Sequence, residues 1–370
     1  MINNLITKKL FKQLDYITLI TAVIIVLFGS ANIYSATYAN YGFYYCMSQI
    51  IWLLIGLILV FIIIFIDYKR IMNHSYLIYW VGAVLVLYTD FATKAVKGAN
   101  SWIKIGGFSF QPGEFAKIGL IIILAKKIDD MEGDVNNPKN FFILCLYALI
   151  PMALLIKQPN LGMALICFFI ALGMLYISGL DLKIIFGGAI VMIPFSLLIW
   201  FSGLLKVYQK NRIIAFLDPG TYQQDIGFQL TQSIIGIGSG GIFGTGFLNG
   251  NQSVSGFVPE AHTDFIFSVV AEEWGFIGAI ALLALYGILL YRIIKLAKSS
   301  ESITGRLICV GTVASFLFSI LQNIGMTIGI MPIAGITLPF MSYGGSSIIT
   351  NFIYLGLVLN VGMRRNKINF

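Results

Sequence analysis

Long apolar stretches separated by short polar segments run along the whole chain. A helix that spans a membrane needs about 20 mostly apolar residues, and stretches of this kind recur from one end of the chain to the other. Residues 16–66 contain no Asp, Glu, Lys or Arg, but their middle is polar and rich in tyrosine. This pattern predicts two membrane helices joined by a hairpin whose tyrosines lie at interface depth.

Eight further helices follow from the same pattern. The predicted spans cover residues 71–89, 112–127, 141–156, 161–178, 183–201 and 264–291, and the charge-free residues 307–363 divide at MPIAGITLPF into two more. Residues 204–263 form a large outer loop between the seventh and eighth helices. We therefore expect an all-α, polytopic membrane protein with about ten transmembrane helices, organised as one integral-membrane domain over residues 1–370.

The composition supports this fold class. Hydrophobic residues make up 58% of the 370 residues and charged residues only 11%, and the mean hydropathy is +0.88. These values lie outside the range of soluble globular proteins. The four cysteines stand singly in apolar segments without CxxC spacing, which argues against both a disulfide framework and a zinc site.

The net charge of +8 follows the predicted loops. With the N-terminus inside, most of the Lys and Arg residues fall in cytoplasmic segments, so both termini are predicted to be cytoplasmic. The charge is thus a topology signal, and because no nucleic-acid motif accompanies it we expect no nucleic-acid partner. The first apolar run is longer than that of a signal peptide and lacks its cleavage site, which predicts an uncleaved anchor.

Acidic residues at one predicted helix suggest a functional site. Asp264 opens the eighth span, and Glu272 lies about 12 Å deeper and about 80° round the helix, so both are expected on neighbouring walls of one cavity, whereas Glu273 points away. Acids within membrane segments are usually functional. The alternative is that Thr263 or Asp264 simply caps the helix N-terminus.

Polar residues elsewhere leave two interpretations open. Glu114 and Lys117 are three residues apart in QPGEFAK and share a helix face, either as a structural ion pair or as a cavity wall that offers an ammonium group to an anion. The stretch 236–241 matches GxGxxG, but no βαβ unit surrounds it, so dinucleotide binding is rejected and flexibility is the simpler explanation. Asn323, within the ninth span, predicts an interhelical hydrogen bond.

Five motifs occur in an order that resembles one known family. They are QPGEFAK, AFLDPGTYQQDIGFQLTQSIIGIGSGG, FVPEAHTDFIFSVVAEEWGFIGA, GMTIGIMPIAGITLP and FMSYGGSS. This chain resembles the RodA/FtsW/SpoVE (SEDS) family of bacterial cell-wall proteins over essentially its whole length. The third and fourth motifs are more similar to the elongation members than to the division members.

The resemblance implies a peptidoglycan glycosyltransferase that polymerises lipid II at the outer face of the bacterial cytoplasmic membrane. It also implies a class B penicillin-binding protein and other elongation-complex membrane proteins as partners. By position, the residues that it implies for the site are Asp264, Trp102, Glu114, Lys117 and Arg212. Ser101 departs from the family pattern, in which a basic residue commonly precedes the tryptophan.

The chemistry of such a reaction suits these residue types. A sugar hydroxyl displaces a lipid diphosphate at an anomeric carbon, which requires a carboxylate to accept the hydroxyl proton and cations to hold the leaving group. Asp264 fits the first role, and Lys117 and Arg212 fit the second. His262 could tune Asp264 or bind phosphate, and Glu272 is expected to contact substrate. The sequence requires no cofactor and predicts no protein metal site, although Mg²⁺ or Mn²⁺ would suit a diphosphate.

Two other classes of function remain open from the sequence. The buried charges and the Gly/Pro-interrupted helices would also suit a lipid-linked precursor flippase or a secondary transporter. A non-catalytic scaffold for a transpeptidase is the third possibility. Lipid II polymerisation in detergent, where transport has no meaning, separates the enzyme from the carrier.

Overall fold

The computed structural model describes residues 12–92, 101–105, 108–201, 207–218 and 226–364. The described residues form fourteen helices and one short β-hairpin, so the predicted all-α class is confirmed. The helices are α1 (Tyr16–Tyr41), α2 (Tyr44–Phe65), α3 (Tyr68–Asn73), α4 (Ser75–Ala92), α5 (Pro112–Asp130), α6 (Pro138–Lys157), α7 (Leu161–Ile177), α8 (Leu182–Phe201), α9 (Val207–Leu217), α10 (Ile226–Gly240), α11 (Asn251–Val254), α12 (Ile266–Ser299), α13 (Ile303–Thr327) and α14 (Gly345–Met363).

Each predicted membrane span coincides with one of the long helices. Within the described ranges, α1, α2, α6, α12, α13 and α14 are the six helices that are both long and apolar enough to cross a membrane. Helices α4, α7 and α8 contain shorter apolar segments, and α5 carries charged residues near both of its ends. The chain is therefore a multi-pass membrane protein. The described part of the predicted outer loop 204–263 contains three helices, α9, α10 and α11.

The centre of the bundle is occupied by α5 and α14. Nearly every side chain of α5 is buried from Pro112 to Ile128, and α14 is buried along most of its length. Glycines let neighbouring helices approach closely: a β-carbon on Gly119 of α5 would lie 3.0 Å from the Cα atom of Tyr79 on α4. Small residues at helix contacts of this kind are typical of membrane bundles.

A two-stranded hairpin, which the apolar pattern did not predict, precedes α5. Strand β1 (Ile103–Ile105) pairs antiparallel with β2 (Phe108–Phe110). The Ser346 hydroxyl at the start of α14 accepts a hydrogen bond from the Gln111 amide and donates one to the Ser109 carbonyl, both at 3.0 Å. The hairpin is therefore fixed to the end of the bundle at which α14 begins.

The Gly-rich segment packs against a break in α12. Gly275 has φ 62° and ψ −160°, which interrupts the helix, and the Phe276 amide then donates to the Gly241 carbonyl at 2.9 Å. A β-carbon on Gly240 or Gly244 would lie 2.0 or 2.1 Å from a carbonyl oxygen of α12. The interpretation of this segment as merely flexible is wrong, because its glycines are required by close backbone contact.

Candidate functional site

A polar cavity of about 580 Å³ lies at one end of the bundle. It is surrounded by the N-terminal ends of α5, α7 and α14, the turn before α12, and the chain between α13 and α14. Its charged and aromatic lining residues are Tyr45, Trp52, Trp102, Glu114, Lys117, Arg212, Glu260, His262, Asp264 and Tyr343. The cavity thus brings together six of the seven residues that the sequence proposed for a site.

Asp264 lies in the turn that leads into α12 and is partly exposed to the cavity. The helix begins two residues later, and its N-cap position is Phe265, at which no side chain caps the helix. The expectation that Thr263 or Asp264 caps this helix is therefore wrong. The Thr263 hydroxyl instead donates to the Glu260 carboxylate at 3.1 Å. Asp264 therefore lies one residue outside the N-cap position.

The Arg212 guanidinium, on α9, approaches the same place as the Asp264 carboxylate. Both groups flank Gly335, which has φ +64° and lies in the chain between α13 and α14. A β-carbon on Gly335 would lie 3.5 Å from Asp264 Oδ2 and 3.8 Å from Arg212 Nη1. A carboxylate oxygen and a guanidinium nitrogen therefore both lie close to the position that a side chain at residue 335 would occupy.

Glu114 and Lys117 form an ion pair on the cavity wall. Lys117 Nζ lies 2.9 Å from Glu114 Oε2, and the two side chains are only 5% and 4% exposed. Pro112 starts α5 and places Glu114 in its first turn, where the helix dipole favours a negative charge. Because both members line the cavity, the pair fits either interpretation of these two residues, a lock for the bundle or a contact for an anion.

His262 and Trp102 contribute aromatic surface to the cavity. The His262 ring centroid lies 4.9 Å from that of Tyr45 and 5.8 Å from that of Tyr343. The His262 carbonyl also accepts a hydrogen bond from the Tyr343 amide at 2.9 Å. Trp102 is partly exposed just before β1. Tyr and Trp rings, which combine an apolar body with a polar group, are typical of the membrane interface.

Glu272 does not reach the cavity, and the predicted position of its side chain is wrong. It is only 1% exposed, and its two oxygens accept hydrogen bonds from the Gln252 and Ser253 amides at 2.7 and 3.0 Å, at the start of α11. The prediction failed because Asp264 precedes α12, so the helical angle between the two acids does not apply. Glu272 fixes the outer loop to α12.

Two neighbouring amides on α13 donate hydrogen bonds to non-helical segments. The Gln322 side chain donates to the Pro332 carbonyl at 2.8 Å. The Asn323 amide donates to the Asp264 and Ile336 carbonyls at 2.8 and 2.7 Å. The predicted interhelical bond is thus replaced by bonds to two non-helical segments. A Gln-Asn pair in an otherwise apolar span was the available sequence signal, but it did not reveal the partners.

The described residues contain no cluster of three or more His, Cys, Asp or Glu side chains that could hold a metal ion. The described cysteines, Cys46, Cys145, Cys167 and Cys309, are unpaired thiols.

Comparisons with known proteins agree with this fold. Residues 10–367 match the FtsW/RodA/SpoVE family, described as cell cycle proteins. The peptidoglycan glycosyltransferase RodA of Treponema pallidum is 32% identical, covering 95% of this chain and 98% of its own. The peptidoglycan glycosyltransferase MrdB of Escherichia coli K12 is 36% identical, covering 79% of this chain and 78% of its own.

Solved structures give the same result. The crystal structure of the rod shape determining protein RodA of Thermus thermophilus superposes with a TM-score of 0.71 at 30% identity, covering 96% of this chain and 98% of that one. A chain from a structure of a peptidoglycan synthase complex, described as coordinating polymerization and crosslinking, superposes with a TM-score of 0.83 at 31% identity, covering 96% of this chain and 99% of that one. This chain therefore belongs to the FtsW/RodA/SpoVE family of cell cycle proteins.

Proposed function

We propose that this chain is a peptidoglycan glycosyltransferase that polymerises lipid II into glycan strands. The observation that carries the proposal is a single cavity in which the Asp264 carboxylate, the Arg212 guanidinium and the Glu114–Lys117 pair meet. The names of the relatives support the reaction class. A carboxylate and two cations in one cavity are the groups that transfer from a diphosphate donor requires.

In the proposed reaction, a hydroxyl oxygen of one sugar attacks the anomeric carbon of another. The new glycosidic C–O bond forms as the bond from that carbon to the lipid diphosphate breaks, and the diphosphate leaves with the electron pair. Asp264 accepts the hydroxyl proton as general base, a contribution typically worth about 10²–10⁴ in rate. Direct displacement of this kind inverts the anomeric configuration and needs no nucleophile from the protein.

The cations stabilise the departing charge. Arg212 lines the cavity near Asp264, and Lys117 lines its α5 wall, so both cations are available to a diphosphate bound there. Glu114 holds the Lys117 ammonium in place until the anion arrives. Trp102 and His262 offer ring faces against which the apolar faces of sugars pack. These assignments make Asp264 the residue that touches the transferred proton and the others contacts for substrate.

A divalent cation, Mg²⁺ or Mn²⁺, would assist the leaving diphosphate. Such ions bind through one or two carboxylates together with substrate phosphates rather than in a cage made by protein alone. Asp264 and Glu260 are the lining carboxylates that could supply those protein ligands, since Glu114 is paired with Lys117. Removal of divalent cations with EDTA, followed by addition of Mg²⁺ or Mn²⁺, tests this part of the proposal through the polymerisation rate.

The proposed site faces outward in the cytoplasmic membrane of a bacterium, with both termini of the chain inside. The excess of Lys and Arg in the predicted cytoplasmic segments supports this orientation. A class B penicillin-binding protein is the proposed partner, because a related chain was solved within a peptidoglycan synthase complex. Other elongation-complex membrane proteins and the elongation role itself remain part of the proposal.

Purified protein mixed with lipid II in detergent tests the proposed function. Glycan polymer resolved by gel electrophoresis supports the enzyme. Movement of labelled lipid II across liposomes without polymer would support the flippase or transporter instead. If neither activity appears while the penicillin-binding protein still co-purifies, the chain is a scaffold and the proposed glycosyltransferase is refuted.

A further inference from the structure

The side chain of Asn323 joins the two walls of the cavity between which the reaction is proposed. One wall is the turn that carries Asp264, and the other is the non-helical chain that contains Gly335 and Ile336. Both segments lack regular secondary structure at these points. Their separation is therefore not fixed by a helical ladder; it depends on the backbone bond from the Tyr343 amide to the His262 carbonyl and on side-chain bonds.

Asn323 donates two hydrogen bonds from its amide group at this junction. Its Nδ2 atom donates to the Asp264 carbonyl at 2.8 Å and to the Ile336 carbonyl at 2.7 Å. The side chain is fully buried within α13. A single side-chain nitrogen of α13, Asn323 Nδ2, thus bonds both the backbone of the proposed base and the backbone of the facing wall.

The amide group of Asn323 is only partly satisfied by hydrogen bonds. Its Oδ1 atom is buried and has no hydrogen-bond partner among the described residues. A buried polar atom without a partner carries a free-energy penalty, and such penalties are tolerated mainly at functional sites. The two donated bonds, rather than full satisfaction of the amide, explain why this residue type lies in the middle of an apolar span.

The junction also controls what lies beside the carboxylate. Gly335 immediately precedes Ile336, and a β-carbon there would lie 3.5 Å from Asp264 Oδ2 and 3.8 Å from Arg212 Nη1. A shift of the Ile336 carbonyl would therefore move the Gly335 backbone, which lies close to both the carboxylate and the guanidinium. We infer that Asn323 is a positioning residue, which sets the distance between Asp264 and the facing wall and so aligns the proposed base with the acceptor hydroxyl.

This inference rests on the proposed function, and it predicts that loss of Asn323 changes kcat more than KM. Misalignment of a reacting group raises the barrier of the chemical step while it leaves ground-state binding largely intact. A displacement of about 1 Å is enough to cost roughly 10²-fold in rate. We therefore expect Asn323→Ala to lower kcat by about that factor with KM for lipid II changed less than about twofold.

Gln322 supplies a matched control. It is the neighbouring amide on α13, is 5% exposed, and donates to the Pro332 carbonyl of the same wall at 2.8 Å, but it does not bond the Asp264 turn. Gln322→Ala should therefore keep kcat within about threefold of the parent chain. Asn323→Ser retains one donor group and should give a loss between those of the parent and Asn323→Ala.

The experiment compares the full-length chain and these variants in lipid II polymerisation, lipid II binding stoichiometry and thermal melting. A fall in kcat for Asn323→Ala, with binding stoichiometry and melting temperature equal to those of Gln322→Ala, supports the inference. Unchanged kcat, or parallel losses of kcat, binding and melting temperature in both variants, overturns it. If Asn323→Ala does not fold, Asn323→Ser replaces it. A lowered kcat of Asn323→Ser at unchanged KM then supports the inference, and an unchanged kcat overturns it.

Asp264→Asn separates this inference from the proposed function. If that variant polymerises at the normal rate, the proposed base is refuted whatever Asn323 does. If Asp264→Asn is inactive and Asn323→Ala is fully active, only the positioning role fails.

Discussion

The Glu114–Lys117 pair allows a test that separates stability from chemistry. The two charged atoms lie 2.9 Å apart and the side chains are 4% and 5% exposed. Removing one partner of a buried pair leaves an uncompensated charge and costs about 3–5 kcal/mol. Because both side chains line the cavity and water can reach it, we expect the lower end of that range, about 3 kcal/mol, for Glu114→Leu or Lys117→Met alone.

The double variant Glu114→Leu with Lys117→Met should recover most of that stability, because apolar residues of similar size replace buried ion pairs at little cost. It should not recover polymerisation, because the ammonium group proposed to meet the diphosphate is gone. Unfolding in detergent measures the free energy of unfolding, and the lipid II assay measures the rate. A double variant that is both stable and fully active would refute a role for Lys117 in substrate binding and leave the pair as a structural lock.

Three further predictions concern single positions. Gly335→Ala should lower the polymerisation rate at least tenfold, because its φ is +64° and the new methyl group would lie 3.5 Å from Asp264 Oδ2; a normal rate would contradict the proximity of that backbone to the site. Gly244→Ala should lower the melting temperature markedly, because the methyl group would lie 2.1 Å from a carbonyl oxygen of α12, and an unchanged melting curve would contradict the close packing. At the opposite end of the bundle, burial of Asp15 would raise the pKa of its carboxyl, but hydrogen bonds from Arg292 and Thr18 outweigh burial and hold the pKa below its ordinary value of 3.8. This carboxylate therefore stabilises the fold above about pH 4, and that contribution is lost as the pH falls through the lowered pKa. Asp15→Asn should remove this part of the pH dependence of the melting temperature. Identical pH profiles for the variant and the parent chain would contradict the stabilising role of Asp15.

The helices were predictable because lipid imposes one simple requirement. A spanning segment must be apolar over about 20 residues and must satisfy its backbone hydrogen bonds internally, so length and hydropathy locate it. Length and hydropathy did not predict the interruption of α12. The apolar run predicted the helix, but the break at Gly275 is accompanied by backbone hydrogen bonds with residues 241–246 that no local pattern encodes.

The candidate site was predictable in its residue types but only partly in its geometry. Asp264 and the Glu114–Lys117 pair stood out because charge is costly in a membrane segment. Glu272 met the same criterion, yet its carboxylate binds the amides at the start of α11. Local spacing cannot distinguish an acid that faces a cavity from one that holds a loop, because the partner lies on a different segment. For the same reason the two carbonyl partners of Asn323 could not be inferred from its sequence position.

The measurement that tests the central proposal most directly is lipid II polymerisation by the Asp264→Asn variant beside the parent chain. Asparagine keeps the size of the side chain but cannot accept the hydroxyl proton, so we expect the variant to fold, to bind lipid II with the parent's stoichiometry, and to form polymer at least about 10²-fold more slowly. Polymer formation at a near-normal rate by the folded, lipid II-binding variant would contradict the role of Asp264 as the general base.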